Sequence, residues 1–224
     1  MIDLSKHLDF FNPEKLHGEP VHIIGLGAIG SNIAETLARL GIDDMHLYDF
    51  DVVDSHNIAN QIYYPDQIGT LKTQATLENL LRINENIKIS LHEQGWKETS
   101  NLNGYVFVAV DSIETRKLIF ENNKFNPNIK AICDFRMRLT DAQHYAAKWD
   151  DMRQKEILIR SANFTEDEAK EATPTSACGT TLSVYPTIKA IVALGIANWM
   201  NIIIQNKNKT LIMLDTFVPN ITTN

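Results

Sequence analysis

The chain has 224 residues, 44% apolar and 22% charged, enough for a globular α/β domain and too regular in composition for a fibrous or low-complexity protein. Its 28 acidic residues outnumber 21 lysines and arginines, a formal charge of −7, which disfavours nucleic-acid or anionic-membrane partners because both need clustered cations. Two cysteines, Cys133 and Cys178, rule out a disulfide framework and a four-cysteine zinc site, so no structural zinc is expected. The N-terminal MIDLSKHLDF is acidic and has no apolar leader core, which predicts a cytoplasmic protein.

Val21–Ile24 is a short β-rich run ending at Gly25, with Gly27 and Gly30 following. From Ala28 to Leu40, Ile29, Ile33, Leu37 and Leu40 recur at helical spacing until Gly41 stops the pattern. Met45–Tyr48 predicts a second strand, Thr70–Asn84 a helix and Ile87–Leu91 a third strand. Tyr105–Val110 is an unbroken apolar run, as in a strand buried on both faces. Glu114–Glu121 is helical and Ala131–Cys133 a further strand. Such alternation over about residues 20–135 implies βαβ units with right-handed crossovers.

The later part differs. Ala142–Lys148 predicts an antiparallel extension and Asp150–Arg160 a helix, and the polar, acidic Thr165–Thr175 reads as a mobile connection. Thr181–Ile204 predicts a long apolar helix with Pro186 in its first turn or kinking it. Pro186, Lys189, Asn198 and Asn201 interrupt that stretch, and a spanning helix needs about 20 nearly unbroken apolar residues. Leu211–Leu214 is a last strand, before a polar tail expected to fray. The expected fold is a Rossmann-like, mostly parallel sheet with helices on both faces and an antiparallel C-terminal extension. Residues 1–224 form one domain in this reading, with a nucleotide-binding half at about 20–135 and an extension at about 136–224.

Gly25-Leu26-Gly27-Ala28-Ile29-Gly30 fits G-x-G-x-x-G between a strand and a helix. Glycines there allow a tight turn and let backbone N–H groups approach a phosphate at the positive end of the helix. Asp49 ends the second strand, 19 residues after Gly30, where an acid can accept from ribose hydroxyls. A mononucleotide and a dinucleotide satisfy these features equally.

The next segment is more specific. Asp49-Phe50-Asp51-Val52-Val53-Asp54-Ser55-His56-Asn57-Ile58-Ala59-Asn60-Gln61 precedes Gly69-Thr70-Leu71-Lys72, and Val110-Asp111-Ser112 precedes Arg116. This resembles the superfamily of ubiquitin-activating enzymes and their bacterial relatives ThiF, MoeB and HesA. Those proteins carry D-x-D-x-V-x-x-x-N-L-x-R-Q, a Lys opening the next helix, and a strand-ending D-N with Arg five positions after the Asp. The likeness covers about residues 20–150, and the Gly179–Asn201 helix is similar to the family's late helix.

The resemblance implies ATP-dependent adenylation of a C-terminal carboxylate. Carried over, Gly25, Gly27, Ala28 and Gly30 hold phosphates and Asp49 the ribose. Asn57, Asn60 and Gln61 are polar contacts to phosphate or sugar, and Lys72 is the phosphate cation or else a solvated first-turn lysine. Asp111 binds Mg²⁺ or caps the following helix, with Ser112 at the usual Asn, and Asp51 assists the metal or fixes the turn. The length suits the adenylation domain alone. A small ubiquitin-like or sulfur-carrier protein, or a peptide, is thus the expected substrate, and a homodimer the expected state.

Asn60 stands where the family has Arg, and an amide cannot replace a guanidinium fork on phosphate. Family dimers also contribute an N-terminal Arg from the partner, yet the first arginine here is Arg39. Arg116, Arg136 and Arg138 are the candidates to compensate or are structural. Cys178, before the long helix, is either a reactive thiol favoured by a helix N-terminus or a small packing residue. Cys133 reads as core, Glu166-Asp167-Glu168 as a solvated stretch, and the seven histidines, without ligand spacing, as structural. Two rivals stand beside adenylation. One is a catalytically degenerate nucleotide-binding subunit of the same fold. The other is an NAD(P)-dependent dehydrogenase, which explains the glycines and Asp49 but not Asn57–Gln61 or Lys72.

Overall fold

The computed structural model describes residues 2–165, 168 and 182–224. Its strands are β1 (Val21–Ile24), β2 (Asp44–Tyr48), β3 (Lys88–His92), β4 (Gly104–Val108), β5 (Ile129–Met137), β6 (Asp141–Lys148), β7 (Leu211–Asp215) and β8 (Asn220–Thr223). The helices used below are α1 (Ala28–Arg39), α2 (Lys72–Leu81), α3 (Ile113–Asn122), α4 (Met152–Ser161) and α5 (Tyr185–Gln205). The strands make one sheet in the order β3-β2-β1-β4-β5-β6-β7-β8. Pairing is parallel from β3 through β5 and antiparallel from β5 through β8. The strand order reverses between β1 and β4, the place where open α/β sheets form a ligand crevice at the strands' carboxyl ends.

Alternation along the strands divides the core. Val21, Ile23, Met45, Leu47, Phe107 and Phe135 face α1 and α5, including Ile33, Leu37, Ile188, Ile196 and Trp199. Ile24, Val106, Val108 and Ile132 face the other side, with Phe120 of α3 and Leu158 of α4. The helix α5 is long and apolar enough to span a membrane by length and composition alone. In this fold it lies on the sheet with Ile188, Ile191, Val192, Trp199 and Ile202 buried, and Pro186 sits in its first turn. Gly195 allows that approach, because a Cβ there would lie 2.2 Å from Phe135 Cε1 and 3.1 Å from His144 Nδ1. Gly195→Ala is therefore expected to cost about 1–3 kcal/mol as α5 is pushed off the sheet. An unchanged urea midpoint would show that α5 packs less closely than this.

Several elements differ from the sequence expectation for identifiable reasons. The helix α2 starts at Lys72 rather than Thr70, because Leu71 is extended and bridges Val52. β5 runs well beyond Ala131–Cys133: Asp134 and Arg136 break its apolar pattern but neutralise each other in place. The tail does not fray. Asp215 Oδ1 accepts from the N–H groups of Phe217 at 2.8 Å and Val218 at 3.1 Å, closing a turn that pairs β8 with β7. Most of the expected Thr165–Thr175 connection lies outside the described residues.

The strands also assemble histidines that are distant in sequence. Register sets His22 beside His46 and Tyr48 beside His92, on the face turned away from α1. His22 Nδ1 is 3.0 Å from Tyr48 Oη, its Nε2 is 3.0 Å from Asn103 Oδ1, and His46 Nδ1 is 3.2 Å from His92 Nε2. The rings of Tyr48 and His92 stack at 4.0 Å and those of His22 and His46 at 4.4 Å. Burial lowers the affinity of His46 and His92 for protons and takes His22 down to about 4. Among the described residues no three His, Cys, Asp or Glu side chains are grouped to hold a metal.

Candidate functional site

The glycine loop lies where β1 turns into α1, and its three glycines do different work. Gly25 has φ +91°, and a Cβ there would lie 2.8 Å from the carbonyl oxygen of Ala109 at the end of β4. Gly30 lets α1 sit on that turn, since its Cβ would be 1.8 Å from Gly25 O. At Gly27, by contrast, an added Cβ meets nothing within 4 Å. Gly27 caps α1 without a side-chain hydrogen bond, which leaves the N–H groups of the first helical turn, beginning at Ala28, to solvent or a ligand. The loop is thus closed behind and open in front, at the positive end of a 12-residue helix.

Asp49 fastens this loop to β2. Its Oδ2 accepts from Leu26 N–H at 2.6 Å and its Oδ1 from Asp51 N–H at 2.8 Å. Burial raises the Asp49 carboxyl above the ordinary carboxylate range, opposed by those two bonds and by the nearby Lys72 cation. Lys72 opens α2 with a side chain only 8% exposed, its Nζ 2.8 Å from Asp51 Oδ2, so it is not a solvated surface lysine. Tyr63, which no sequence motif singles out, braces the same place. Its hydroxyl donates to Leu26 O at 2.8 Å and lies 3.1 Å from Thr76 Oγ1.

Between Asp51 and Lys72 the polar residues serve the chain first. Asn57 Oδ1 accepts from Asp54 N–H at 2.9 Å, closing the short 3₁₀ turn Ser55–Asn57. Asn60 donates through Nδ2 to Ser183 Oγ at 2.6 Å, tethering the stretch that enters α5. Asn60 Oδ1 and Gln61 Oε1 are buried and without a hydrogen-bond partner.

The turn after β4 presents Asp111 to solvent. Ser112, not Asp111, caps α3, its Oγ accepting from Thr115 N–H at 3.1 Å, so the helix-cap alternative for Asp111 is corrected. Arg116 and Arg136 both turn inward onto Asp134, which is fully buried. Arg136 also donates to Ser161 O at 2.7 Å and Ser161 Oγ at 2.8 Å, and its guanidinium lies 4.7 Å from the Tyr145 ring. Arg138 lies at the surface, 4.0 Å from Asp141. Cys133 is buried on β5, where burial pushes its thiol up, as a core residue requires. Cys178 lies outside the described residues.

Residues 9–218 match the family model described as the ThiF family. The chain belongs to the ThiF family. It is 31% identical over 93 residues to ubiquitin-like modifier-activating enzyme 5 of Caenorhabditis elegans, covering 42% of this chain and 22% of that protein. The same enzyme of Arabidopsis thaliana is 30% identical over 137 residues, covering 61% of this chain and 29% of the relative. The chain therefore spans less than a third of the length of these relatives. Among solved structures it superposes on selenomethionine-labelled PaaA with a TM-score of 0.72 at 17% identity, covering 99% of this chain and 68% of that one. Escherichia coli MccB with ATP gives a TM-score of 0.67 at 18% identity, covering 95% and 65% respectively. At such identities the likeness is one of fold.

For a ThiF-family site, this one is built from the carboxyl ends of β1, β2 and β4 and the starts of α1 and α2. The structure brings the glycine loop, Asp49, Asp51 and Lys72 together through direct hydrogen bonds. Arg116 and Arg136, two of the arginines that could compensate for Asn60, both face Asp134 on β5. Both have their guanidinium groups committed to Asp134 and to backbone or side-chain oxygens nearby.

Proposed function

We propose that this chain binds ATP with Mg²⁺ and adenylates the C-terminal carboxylate of a small ubiquitin-like or sulfur-carrier protein, or of a peptide. The observation that carries the reading is Gly27: its open side lies at a helix N-terminus that no side chain caps, within the loop that Asp49 fastens to β2. In this reading Gly25, Gly27, Ala28 and Gly30 cradle the phosphates. Asp49 keeps lone pairs for the ribose, and Asn57, Asn60 and Gln61 line the path beside it. Lys72 exchanges part of its contact with Asp51, which is half exposed, for a phosphate oxygen. The substrate carboxylate attacks the α-phosphorus, the bond to the bridging oxygen breaks, and pyrophosphate leaves with the electron pair. The work is positioning and electrostatic.

The residues present fit a Mg²⁺ that is held mainly by nucleotide. Asp111 offers an exposed carboxylate, and no cluster of three ligating side chains occurs among the described residues. Mg²⁺ keeps several waters and takes one or two carboxylates plus phosphate oxygens, so Asp111, next to Ser112, would hold it. When bound it neutralises charge on the phosphates. The whole chain acts as one unit in this proposal, and as a homodimer.

Thermal unfolding with Mg·ATP, AMP and NADH tests the reading. A nucleotide at 100 times its dissociation constant stabilises by about 2.7 kcal/mol, and a rise with Mg·ATP is expected that Asp111→Asn and Lys72→Met reduce. A rise with NADH alone would instead favour a dehydrogenase. A second reading, a nucleotide-binding subunit that does not turn over, is favoured by Asn60, whose amide is spent on Ser183. It predicts ATP binding without pyrophosphate exchange when carboxylate-bearing carriers are supplied.

A further inference from the structure

The geometry points to Asp134 as a positioning residue for Asp111, acting through Arg116; this rests on the nucleotide reading above. Asp134 lies on β5 among Ile132, Cys133 and Phe135 and has no exposed surface. A carboxylate in such a place is desolvated at a cost of several kcal/mol, and buried ion pairs are often replaceable by apolar residues without loss of stability. Geometry is the better account of it. Arg136 Nε fixes one carboxylate oxygen at 2.6 Å and is itself anchored on Ser161, so the carboxylate cannot rotate. Arg116 donates to the other oxygen and, at 3.3 Å, to Phe135 O.

The remaining arm of Arg116 decides the matter. It donates to Val110 O, the carbonyl immediately before Asp111. Arg116 belongs to α3, whose N-terminus is capped by Ser112 immediately after Asp111. The turn is therefore held on both sides of Asp111, by one guanidinium and one helix cap. Its direction is set from β5 by a side chain that touches no ligand. Asp111 itself is left to point outward.

The test measures the affinity of AMPCPP with Mg²⁺ and with EDTA, and of AMP, by isothermal titration calorimetry. Wild type is expected to bind AMPCPP more tightly with Mg²⁺. Asp134→Asn is expected to lose about 10- to 100-fold of that increment, as residues behind a metal ligand do, with AMP affinity unchanged. Arg116→Lys, which keeps the cation but not the fork, is expected to do the same, and it decides the matter alone if Asp134→Asn does not fold. Arg138→Lys, just after β5 but at the surface and 4.0 Å from Asp141, lies outside the buried cluster and is expected to keep the increment. Retention of the increment in Asp134→Asn and Arg116→Lys, or an equal loss for all ligands, would overturn the positioning role while the nucleotide reading stands. A wild type that binds no nucleotide overturns both.

Discussion

Gly30→Ala is expected to abolish stable folding, whereas Gly27→Ala, three residues earlier, is expected to fold normally and lose ATP. An added Cβ at Gly30 would sit 1.8 Å from Gly25 O and 2.8 Å from its carbonyl carbon, both backbone atoms. Gly25 cannot yield freely, because its N–H donates to Tyr48 O at 2.9 Å and a Cβ built on it would lie 2.8 Å from Ala109 O, so the space beside it is already filled. Overpacking against atoms that can move costs about 1–3 kcal/mol. Against a pinned backbone the cost is higher, a large part of a typical total of about 5–15 kcal/mol. Gly27 has φ −72°, which alanine adopts readily, and no neighbour within 4 Å of the new methyl. Its stability should fall by about 1 kcal/mol or less, the cost of alanine in place of glycine at a helix cap. The methyl would instead occupy the space through which a phosphate reaches the first N–H groups of α1. Urea midpoints and Mg·ATP titrations on the two variants check both halves. If Gly27→Ala keeps full ATP affinity, the phosphates do not lie on this loop.

What the sequence carried was local. Tyr105–Val108 is apolar on both faces and could be read as a strand buried on both sides from composition alone. The glycine loop and Asp49 could be singled out from the strand–glycine–acid pattern and Lys72 from the family resemblance, and in the structure Asp49 bonds the loop and Lys72 bonds Asp51. What was hidden depends on contacts between distant residues. Asp134 and Arg136 look like an interruption of β5 until Arg116, 18 residues earlier, is seen to pair with the same carboxylate. Asn60 looks like a damaged phosphate contact, but its amide bonds Ser183, 123 residues away. The strand β8 has no apolar alternation, since each of its residues is exposed, and only the turn at Asp215 sets its pairing. The histidines at 22, 46 and 92 have no periodicity along the chain. Parallel register alone brings them together.

Those histidines, with His144, give the second large expectation: stability should fall steeply as the solution is acidified from pH 6.5 toward 4. Burial takes His22 down to about 4 and His144, fully buried beneath α5, down to about 3. In the unfolded chain each binds a proton near pH 6.5. The folded state excludes that proton, so the unfolded state gains protons first, and the stabilisation present above pH 6.5 is lost as pH falls. At about 1.4 kcal/mol for each tenfold difference in proton affinity, His22 and His144 each account for about 3 kcal/mol between pH 6.5 and 4, and His144 has more to lose below pH 4. Asp49 works in the opposite sense, because its raised affinity favours the folded form as it takes up a proton. A wild-type profile alone would therefore mix the contributions. His144→Leu separates them. Neither ring nitrogen of His144 has a hydrogen-bond partner, and the ring packs 4.4 Å from Phe135. Replacing it removes a buried unsatisfied polar group and should leave stability at pH 7 equal or higher. Between pH 7 and 4 the variant should lose less than wild type, by up to the share of His144 that titrates in that range. Urea midpoints measured at half-unit steps test this. Parallel profiles for the two proteins would mean that His144 is hydrated or protonated in the folded state.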